Sequence, residues 1–237
     1  MEVVAAYRYP VKSMQGEELP RARVGPVGIV GDRSHALRDD ATGVVLTARR
    51  DPVLLFGRGV IDGDDEARVV LPDGTATRDP SVLSAWVGRP VALAGPSGEP
   101  STYEIPVDPE DDASPVATWQ GPSGSYHDST RTQVSIVATG DLGRWDVRRF
   151  RPNLVVAADT ADDLLGRRIT VGSVVLDVVK QIDRCVITTR AQPDGIDRDL
   201  DVLRTIRRRR DLRLGVGAMV VRPGTISAGD SFEVTPA

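Results

Sequence analysis

Short alternations of apolar and polar residues dominate the chain and predict a protein built from many short strands. Residues 132–138 alternate as in a half-buried strand, and residues 52–57 continue the β pattern. Helical spacing is clear in 199–210, where an acidic start and a basic end suit the helix dipole. Asp79 followed by Pro80 marks the start of a shorter helix. The pattern therefore predicts a mainly β fold (α+β) with a few short helices.

Residues 95–131 interrupt this pattern, because they are rich in Pro, Gly, Ser and Asp. We predict that they form a long connection between two halves of the chain, either within one large domain or between two small ones. Trp119, Tyr126 and His127 are not typical of disordered segments. The later part of the connection is therefore expected to pack over another part of the protein.

Composition and charge exclude several classes of function. A net charge of −4 gives no general attraction to nucleic acid or anionic membranes, and we interpret the arginines of 207–210 as a solvated helix end. The N-terminus does not resemble a signal peptide, and no apolar run is long enough to cross a bilayer. We expect a cytoplasmic protein without nucleic-acid or membrane partners.

Cys185 is the only cysteine, so the chain can form no intrachain disulfide and supplies no four-cysteine iron–sulfur cluster. The β-branched run after it, 186–189, predicts a strand. Arg184 beside the thiol would favour the thiolate, which attacks electrophiles and binds soft metals. The alternative is a small buried apolar residue without a chemical task. The segment alone leaves both interpretations open.

Two basic segments are candidates for anion binding. Of 30 basic residues only Lys12 and Lys180 are lysine, and Lys12 lies with Ser13 in a polar turn that suits a phosphate. Arg149 and Arg151 belong to an arginine cluster at the start of an apolar strand, where guanidinium groups can bind a phosphate or an acidic partner. The alternative to anion binding is a solvated surface turn at Lys12 and a solvated rim at the arginine cluster.

Four parts of the chain, taken together, resemble a MOSC-domain protein, a superfamily named for the C-terminal domain of molybdenum cofactor sulfurases. Residues 9–13 with Gly31-Asp32-Arg33 resemble the N-terminal β-barrel module of that family. The segments that resemble the MOSC domain itself are Arg149-Phe150-Arg151-Pro152-Asn153-Leu154-Val155-Val156, Arg184-Cys185 and Pro223-Gly224-Thr225-Ile226-Ser227-Ala228-Gly229-Asp230. The resemblance implies a β-barrel-like module over 1–110 and a MOSC-type β-barrel domain over 111–237, and it allows the two modules to be interleaved in the structure.

The resemblance also implies a molybdenum cofactor, a mononuclear molybdenum centre on a pterin dithiolene. Cys185 corresponds to the cysteine that binds the metal in this family, and Arg184 would keep it deprotonated. In the amidoxime-reducing members the cofactor phosphate is held by residues that match Lys12, Ser13 and Arg33. Residues that match Arg151 and Asn153 contact the pterin, and Arg149 belongs to the same basic cluster.

The implied function is an oxidoreductase that reduces N-hydroxylated small molecules or related N–O or S–O compounds. Some longer relatives append a ferredoxin-like domain, for which this chain has neither the length nor the cysteines. We therefore expect the electrons to come from a separate donor protein. Two other classes stay open: a sulfur carrier with a persulfide on Cys185, and a module that binds or transfers the cofactor without turnover. A pyridoxal phosphate enzyme is a weaker alternative, because it needs a Schiff-base lysine and Lys12 is assigned to an anion.

Overall fold

A computed structural model describes residues 1–61, 66–108 and 114–236, and it is mainly β, as the hydrophobic pattern predicts. Most of the strands in the described residues are short. The eighteen strands are β1 (Val3–Arg8), β2 (Glu17–Leu19), β3 (Arg21–Gly25), β4 (Gly28–Ile29), β5 (Ala36–Asp39), β6 (Arg58–Ile61), β7 (Ala67–Val70), β8 (Ala76–Thr77), β9 (Val91–Ala94), β10 (Thr102–Pro106), β11 (Val116–Gln120), β12 (Val134–Ala138), β13 (Leu154–Val156), β14 (Arg167–Val171), β15 (Val174–Asp183), β16 (Arg213–Arg222), β17 (Gly224–Ser227) and β18 (Phe232–Pro236).

Helices are few. The α-helices of the described residues are α1 (Pro80–Val87), α2 (Thr139–Leu142) and α3 (Leu200–Arg210), and the 3-10 helices are Pro52–Phe56, Val147–Arg149, Asp162–Leu164 and Val186–Thr189. The first and last α-helices begin where the sequence predicts. The Asp79 side chain accepts a hydrogen bond from the Ser81 N–H, and Asp199 does the same for Asp201. None of the helices in the described ranges is long and apolar enough to span a membrane.

Eight strands form one sheet that curls into a half-barrel, in the order β18-β14-β15-β16-β12-β13-β1-β2. Neighbouring strands are antiparallel except for β12 and β13, which are parallel. The first strand of the chain thus pairs with β13, and β3 pairs with β17 near the other terminus. The predicted domain boundary between residues 110 and 111 falls outside the described residues and stays a prediction.

Both faces of the central strand β12 are buried, whereas its alternation predicted a half-buried strand. Val134, Ile136 and Ala138 belong to the main apolar core on one face of the sheet. Val137 lies on the other face, in a smaller core that includes Val202 and other apolar residues of α3. The second face is buried because α3 packs over it, whereas the sequence pattern left that face to solvent.

The N-terminal half has its own apolar core, in which Val11 and Met14 of the turn after β1 pack against Leu37, Leu54 and other residues. Two predictions fail in this half. The 52–57 segment contains a 3-10 helix that begins at a proline, instead of a strand. The predicted connection of 95–131 contains the β10–β11 hairpin, and Tyr103 of β10 belongs to a small buried cluster with Tyr126 and Trp119.

Candidate functional site

Several segments that are distant in sequence line a single cavity of about 260 Å³. The cavity lies where the turn after β1, the segment before β5, the start of β13 and the end of β15 come together. All eight residues that the sequence analysis selected are among those that line it: Lys12, Ser13, Arg33, Arg149, Arg151, Asn153, Arg184 and Cys185. The structure therefore brings the selected residues together, while the individual roles assigned to them remain predictions.

Lys12 is a buried ammonium group in the wall of the cavity. Its Nζ donates to the Tyr126 carbonyl oxygen at 2.7 Å and to Asp128 Oδ1 at 2.9 Å, and it lies 4.6 Å from the centre of the Tyr103 ring. Burial lowers the pKa of Lys12 to about 8, although Asp128 acts to raise it. Because an ammonium has three N–H donors, these contacts leave one for a further acceptor.

Arg33 and Arg151 lie on the ring of Tyr9, with their guanidinium carbons 5.2 and 4.9 Å from its centre. Arg33 is ion-paired with the buried carboxylate of Asp32 and donates to the Arg151 carbonyl oxygen at 3.2 Å. Burial, with Arg33 close by, lowers the pKa of Arg151 to about 10. Of the two guanidinium groups, only that of Arg33 has an ion-pair partner among the described residues, so the pair carries a net positive charge that attracts anions.

Backbone strain is concentrated at the site. Six non-glycine residues in the described ranges have left-handed φ values, and three of them line the cavity: Ser13 at 67°, Arg33 at 49° and Arg151 at 51°. The left-handed turn at Ser13 is held in part by its Oγ, which accepts a hydrogen bond from the Ala48 N–H at 3.0 Å. Such conformations cost energy and cluster at functional sites, so this distribution singles out the cavity.

Cys185 lies just after the end of β15 and is partly exposed. The segment that follows it, Val186–Thr189, is a 3-10 helix, so the strand predicted there is wrong. The Thr188 N–H and hydroxyl both donate to the Cys185 carbonyl oxygen, and the Thr189 hydroxyl donates to the Val186 carbonyl oxygen. These hydroxyl bonds to nearby carbonyls favour a tight turn over a strand, despite the β-branched sequence.

Two guanidinium groups lie beside the thiol. Burial alone would lower the pKa of Arg49, but Asp128 and the hydrogen-bonded Cys185 side chain together raise it above its ordinary value. Burial lowers the pKa of Arg184 to about 10, although Cys185 acts to raise it. Arg184 is fixed in place, because Nε donates to the Leu214 carbonyl oxygen at 2.8 Å and Nη1 to that of Phe150 at 2.9 Å.

Two buried donors of the cavity-lining arginines have no hydrogen-bond partner within the described part of the chain: Nη1 of Arg151 and Nη2 of Arg184. Buried polar groups in folded proteins are nearly always hydrogen-bonded, so an unpartnered donor next to a cavity suggests an absent acceptor. Together with the ammonium of Lys12 and the thiol of Cys185, the donor set suits an anionic group rich in oxygen and sulfur acceptors.

Arg149 and Asn153 also line the cavity, but their polar groups form hydrogen bonds with other residues of the protein. Arg149 donates to the carbonyl oxygens of Thr188, Arg190 and Asp197 at 2.7–3.3 Å. The Asn153 side-chain oxygen accepts from the N–H and the hydroxyl of Ser135 at 3.0 and 2.9 Å. Both residues hold the surrounding chain in position, whatever else they contact.

Arg49, His127 and Asp128 also line the cavity, and they are among the residues that the sequence did not assign to the site. Arg49 follows a buried alanine in an ordinary basic pair, and the other two lie in the segment that was predicted to be a connection. Burial lowers the pKa of His127 to about 4, so it is neutral at pH 7. Only the general expectation that the later connection packs over something gave a signal for His127 and Asp128.

A second cavity of about 630 Å³ adjoins the first, and Arg49, Asp128, Arg184 and Cys185 line both. Cys185 therefore lies at the junction of a cationic cavity and a more apolar one. Among the described residues, no group of three or more His, Cys, Asp and Glu side chains is arranged to hold a metal ion.

Comparison with protein families assigns this architecture. A model of the MOSC N-terminal beta barrel domain matches residues 1–81, and a model of the MOSC domain matches residues 123–233. The chain belongs to the MOSC-domain family. In this MOSC protein the cationic cavity takes residues from both matched segments, Lys12 and Arg33 from the first, Arg151 and Cys185 from the second.

Three solved structures are similar to the chain at low sequence identity. The YuaD protein from Bacillus subtilis is 14% identical with a TM-score of 0.48, covering 100% of this chain and 96% of its own. YiiM from Geobacillus stearothermophilus is 15% identical with a TM-score of 0.37, covering 51% of this chain and 67% of its own. A hypothetical protein is 9% identical with a TM-score of 0.46, and the match covers 100% of this chain and 69% of the other. No curated protein matches the chain significantly.

Proposed function

We propose that this MOSC protein binds a molybdenum cofactor in the cationic cavity and reduces N-hydroxylated compounds, or related N–O or S–O substrates. The observation that carries the proposal is the pair of buried, unpartnered guanidinium N–H groups of Arg151 and Arg184 in the cavity that Cys185 lines. These groups fit the acceptors of an anionic pterin, and the lone thiol provides a soft metal ligand.

Lys12, Ser13 and Arg33 would hold the phosphate of the cofactor. They come from two turns and line the cavity, and Ser13 and Arg33 have left-handed backbone conformations. Asp128 forms an ion pair with Lys12 and is 56% exposed at its side chain. An incoming phosphate would use the third N–H of Lys12 and lie near this partly solvent-exposed carboxylate, with which it would compete for the ammonium.

Arg151 and Asn153 would lie against the pterin. Arg151 would donate a hydrogen bond to it through its unpartnered Nη1, whereas Asn153 would mainly hold the start of β13 in position. Arg149 orders the segment 188–197 through three carbonyl contacts. We assign Arg149 to positioning the loop after Cys185, rather than to direct contact with the cofactor.

Cys185 would bind the metal as a thiolate, with the guanidinium groups of Arg49 and Arg184 beside it. When bound, the molybdenum centre supplies two-electron removal of oxygen, which converts an N–OH group to N–H and water with two electrons and two protons. The protein would position the metal and neutralise the charge of the thiolate. A separate donor protein would supply the electrons, and a cytoplasmic location remains a prediction.

One observation favours a second candidate function, that of a sulfur carrier. The Cys185 side chain is partly exposed and lies at the junction of two cavities, so a persulfide on it could reach an acceptor. The third possibility, binding and transfer of the cofactor without turnover, uses the same contacts as the oxidoreductase and differs only in reactivity.

Turnover of benzamidoxime by cofactor-loaded protein with reduced methyl viologen tests the proposal. The proposed function predicts benzamidine formation and matched oxidation of the viologen. Full cofactor content without turnover of N–O or S–O compounds would favour the transfer module. Metal-free protein whose mass shows one additional sulfur atom on Cys185 would favour the sulfur carrier.

A further inference from the structure

The larger cavity beside Cys185 differs in chemistry from the cationic one. Its volume of about 630 Å³ lies within the range of small-molecule sites, about 300–1,000 Å³. The β10–β11 hairpin contributes Ile105 and Trp119, and α3 contributes Leu200 and Leu203. We call this the apolar cavity. None of these side chains takes part in the cofactor contacts proposed above.

The walls of the apolar cavity are held in place by specific contacts. Trp119 is stacked on the buried Tyr103, with ring centres 4.7 Å apart and an interplanar angle of 18°. Leu212, also in the wall, has a left-handed φ of 63°, and its carbonyl oxygen accepts from the Arg184 N–H at 2.7 Å. A leucine in this conformation is uncommon and persists where its surroundings fix it. The cavity therefore has a fixed shape rather than a loose apolar surface.

Two arginines line the apolar cavity without lining the cationic one. Arg204 and Arg207 line the apolar cavity from α3, three residues apart and thus on one face of the helix. Arg204 is 60% exposed and has only a 3.5 Å contact with Asp201. Arg207 is exposed, and the described residues offer it no ion-pair partner. Two guanidinium groups available on one face can bind a carboxylate.

We propose that the apolar cavity is the substrate site and that it selects flat aromatic molecules with an anionic group at the end remote from the reducible one. The inference rests on the proposed function, since it orients the N-hydroxylated end towards Cys185. The stacked Trp119 offers an apolar face for an aromatic ring. Arg204 and Arg207 then bind a carboxylate on the far side of that ring.

Equilibrium binding to metal-free protein tests the inference without depending on turnover. The probes are benzamidoxime and 4-carboxybenzamidoxime, titrated by calorimetry into wild type and into the variants Trp119→Ala, Arg207→Glu and Arg208→Glu. Arg208 is the matched control, because it is exposed on the same helix and carries the same charge but does not line the cavity. Both arginines are exposed, so the reversals of charge leave folding intact.

We expect wild type to bind the carboxylated probe about tenfold more tightly than benzamidoxime, with a preference that weakens as salt is added. Arg207→Glu should abolish the preference, and Arg208→Glu should keep most of it. Trp119→Ala should lower the affinity for both probes. Equal binding of the two probes by wild type would overturn the inference. Equal loss of preference in Arg207→Glu and Arg208→Glu would also overturn it, because the effect would then come from the general field of α3.

Turnover separates this inference from the proposed function. Probe binding as described, without reduction by cofactor-loaded protein, would support the apolar cavity as a ligand site and reject the oxidoreductase. Reduction of benzamidoxime with the same kcat/KM in wild type, Trp119→Ala and Arg207→Glu would leave the oxidoreductase standing and reject the apolar cavity as its substrate site.

Discussion

Lys12 carries its charge in a buried position, and that makes the site sensitive to pH. The folded, metal-free protein releases the Lys12 proton near pH 8, whereas an ordinary lysine keeps it until about 10.5. The unfolded chain therefore binds more protons between these values, and the contribution of Lys12 to stability rises with pH across that window. Anion binding has the opposite dependence, because only the charged form attracts a phosphate.

We predict that affinity for phenyl phosphate falls as the pH rises from 8 to 9.5, by up to about tenfold per pH unit. Calorimetric titrations of metal-free protein at several pH values measure this. Lys12→Met removes the titrating group and should give weak binding with a flat profile over the same range. A flat profile in wild type would show that Lys12 does not contact the anion.

Cys185→Ser separates a catalytic ligand from an ordinary core cysteine. The change is nearly isosteric, so the fold should persist, and the cofactor should remain through its phosphate and pterin contacts. Reduction of benzamidoxime should fall by roughly a hundredfold or more, because a serine hydroxyl is a poor soft-metal ligand. Melting temperature, pterin content and turnover are measured on the same preparation. A variant that melts much lower but turns over normally would make Cys185 a packing residue.

At the residue scale, the sequence indicated the charged groups whose types are informative by themselves. A lysine among arginines, an arginine cluster before an apolar strand and a lone thiol all lie at the cavity. Asp128 could not be predicted, because its significance comes from an ion pair with Lys12 across 116 positions of sequence. Pairs of this kind are made by the fold and have no local signal.

At the scale of elements, Asn153 connects three strands. Its side-chain oxygen accepts from the Ser135 N–H on β12, and its Nδ2 donates to the Tyr7 carbonyl oxygen on β1 at 3.3 Å. Arg151, two residues earlier, has instead a buried donor without a partner among the described residues. The two residues should therefore respond differently to substitution, although both were predicted to contact the cofactor.

We predict that Asn153→Ala lowers the stability of metal-free protein by about 2–3 kcal/mol, because it leaves buried groups unpaired. Arg151→Met, which keeps most of the volume but removes a buried charge without an ion-pair partner among the described residues, should melt at or above the wild-type temperature and yet lose cofactor. Thermal melts of metal-free protein and pterin content after reconstitution give the two readouts. If Arg151→Met melted lower and kept its cofactor, Arg151 would be structural.

Elements were predictable where local chemistry and packing agree. The helices at Asp79 and Asp199 begin at capping side chains, which act within a few residues. The 3-10 helix at Val186–Thr189 was missed because β-branched residues favour strands, while hydroxyl bonds to nearby carbonyls prevail here. The β10–β11 hairpin was missed because part of its packing comes from residues distant in sequence, such as Val45 and Tyr126, which are buried with Tyr103.

At the scale of the whole molecule, the site depends on the meeting of two matched family segments. Residues 1–81 supply Lys12, Ser13, Arg33 and Arg49, and residues 123–233 supply Arg151, Arg184 and Cys185. The mainly β class followed from the hydrophobic pattern, whereas the pairing of β1 with β13 required the tertiary structure. That pairing helps to bring the turn of Lys12 and Ser13 to the cavity that Cys185 also lines.

The most direct test of the account is the metal and pterin content of protein from a molybdate-fed, cofactor-competent host. Elemental mass spectrometry should find about one molybdenum per chain in wild type, as a single soft-ligand site requires. Arg49→Ala should lower the content by about tenfold, while the control Arg50→Ala, whose side chain is ion-paired with Glu104, should keep it. Wild-type protein that carries no molybdenum and holds a persulfide on Cys185 would contradict the account.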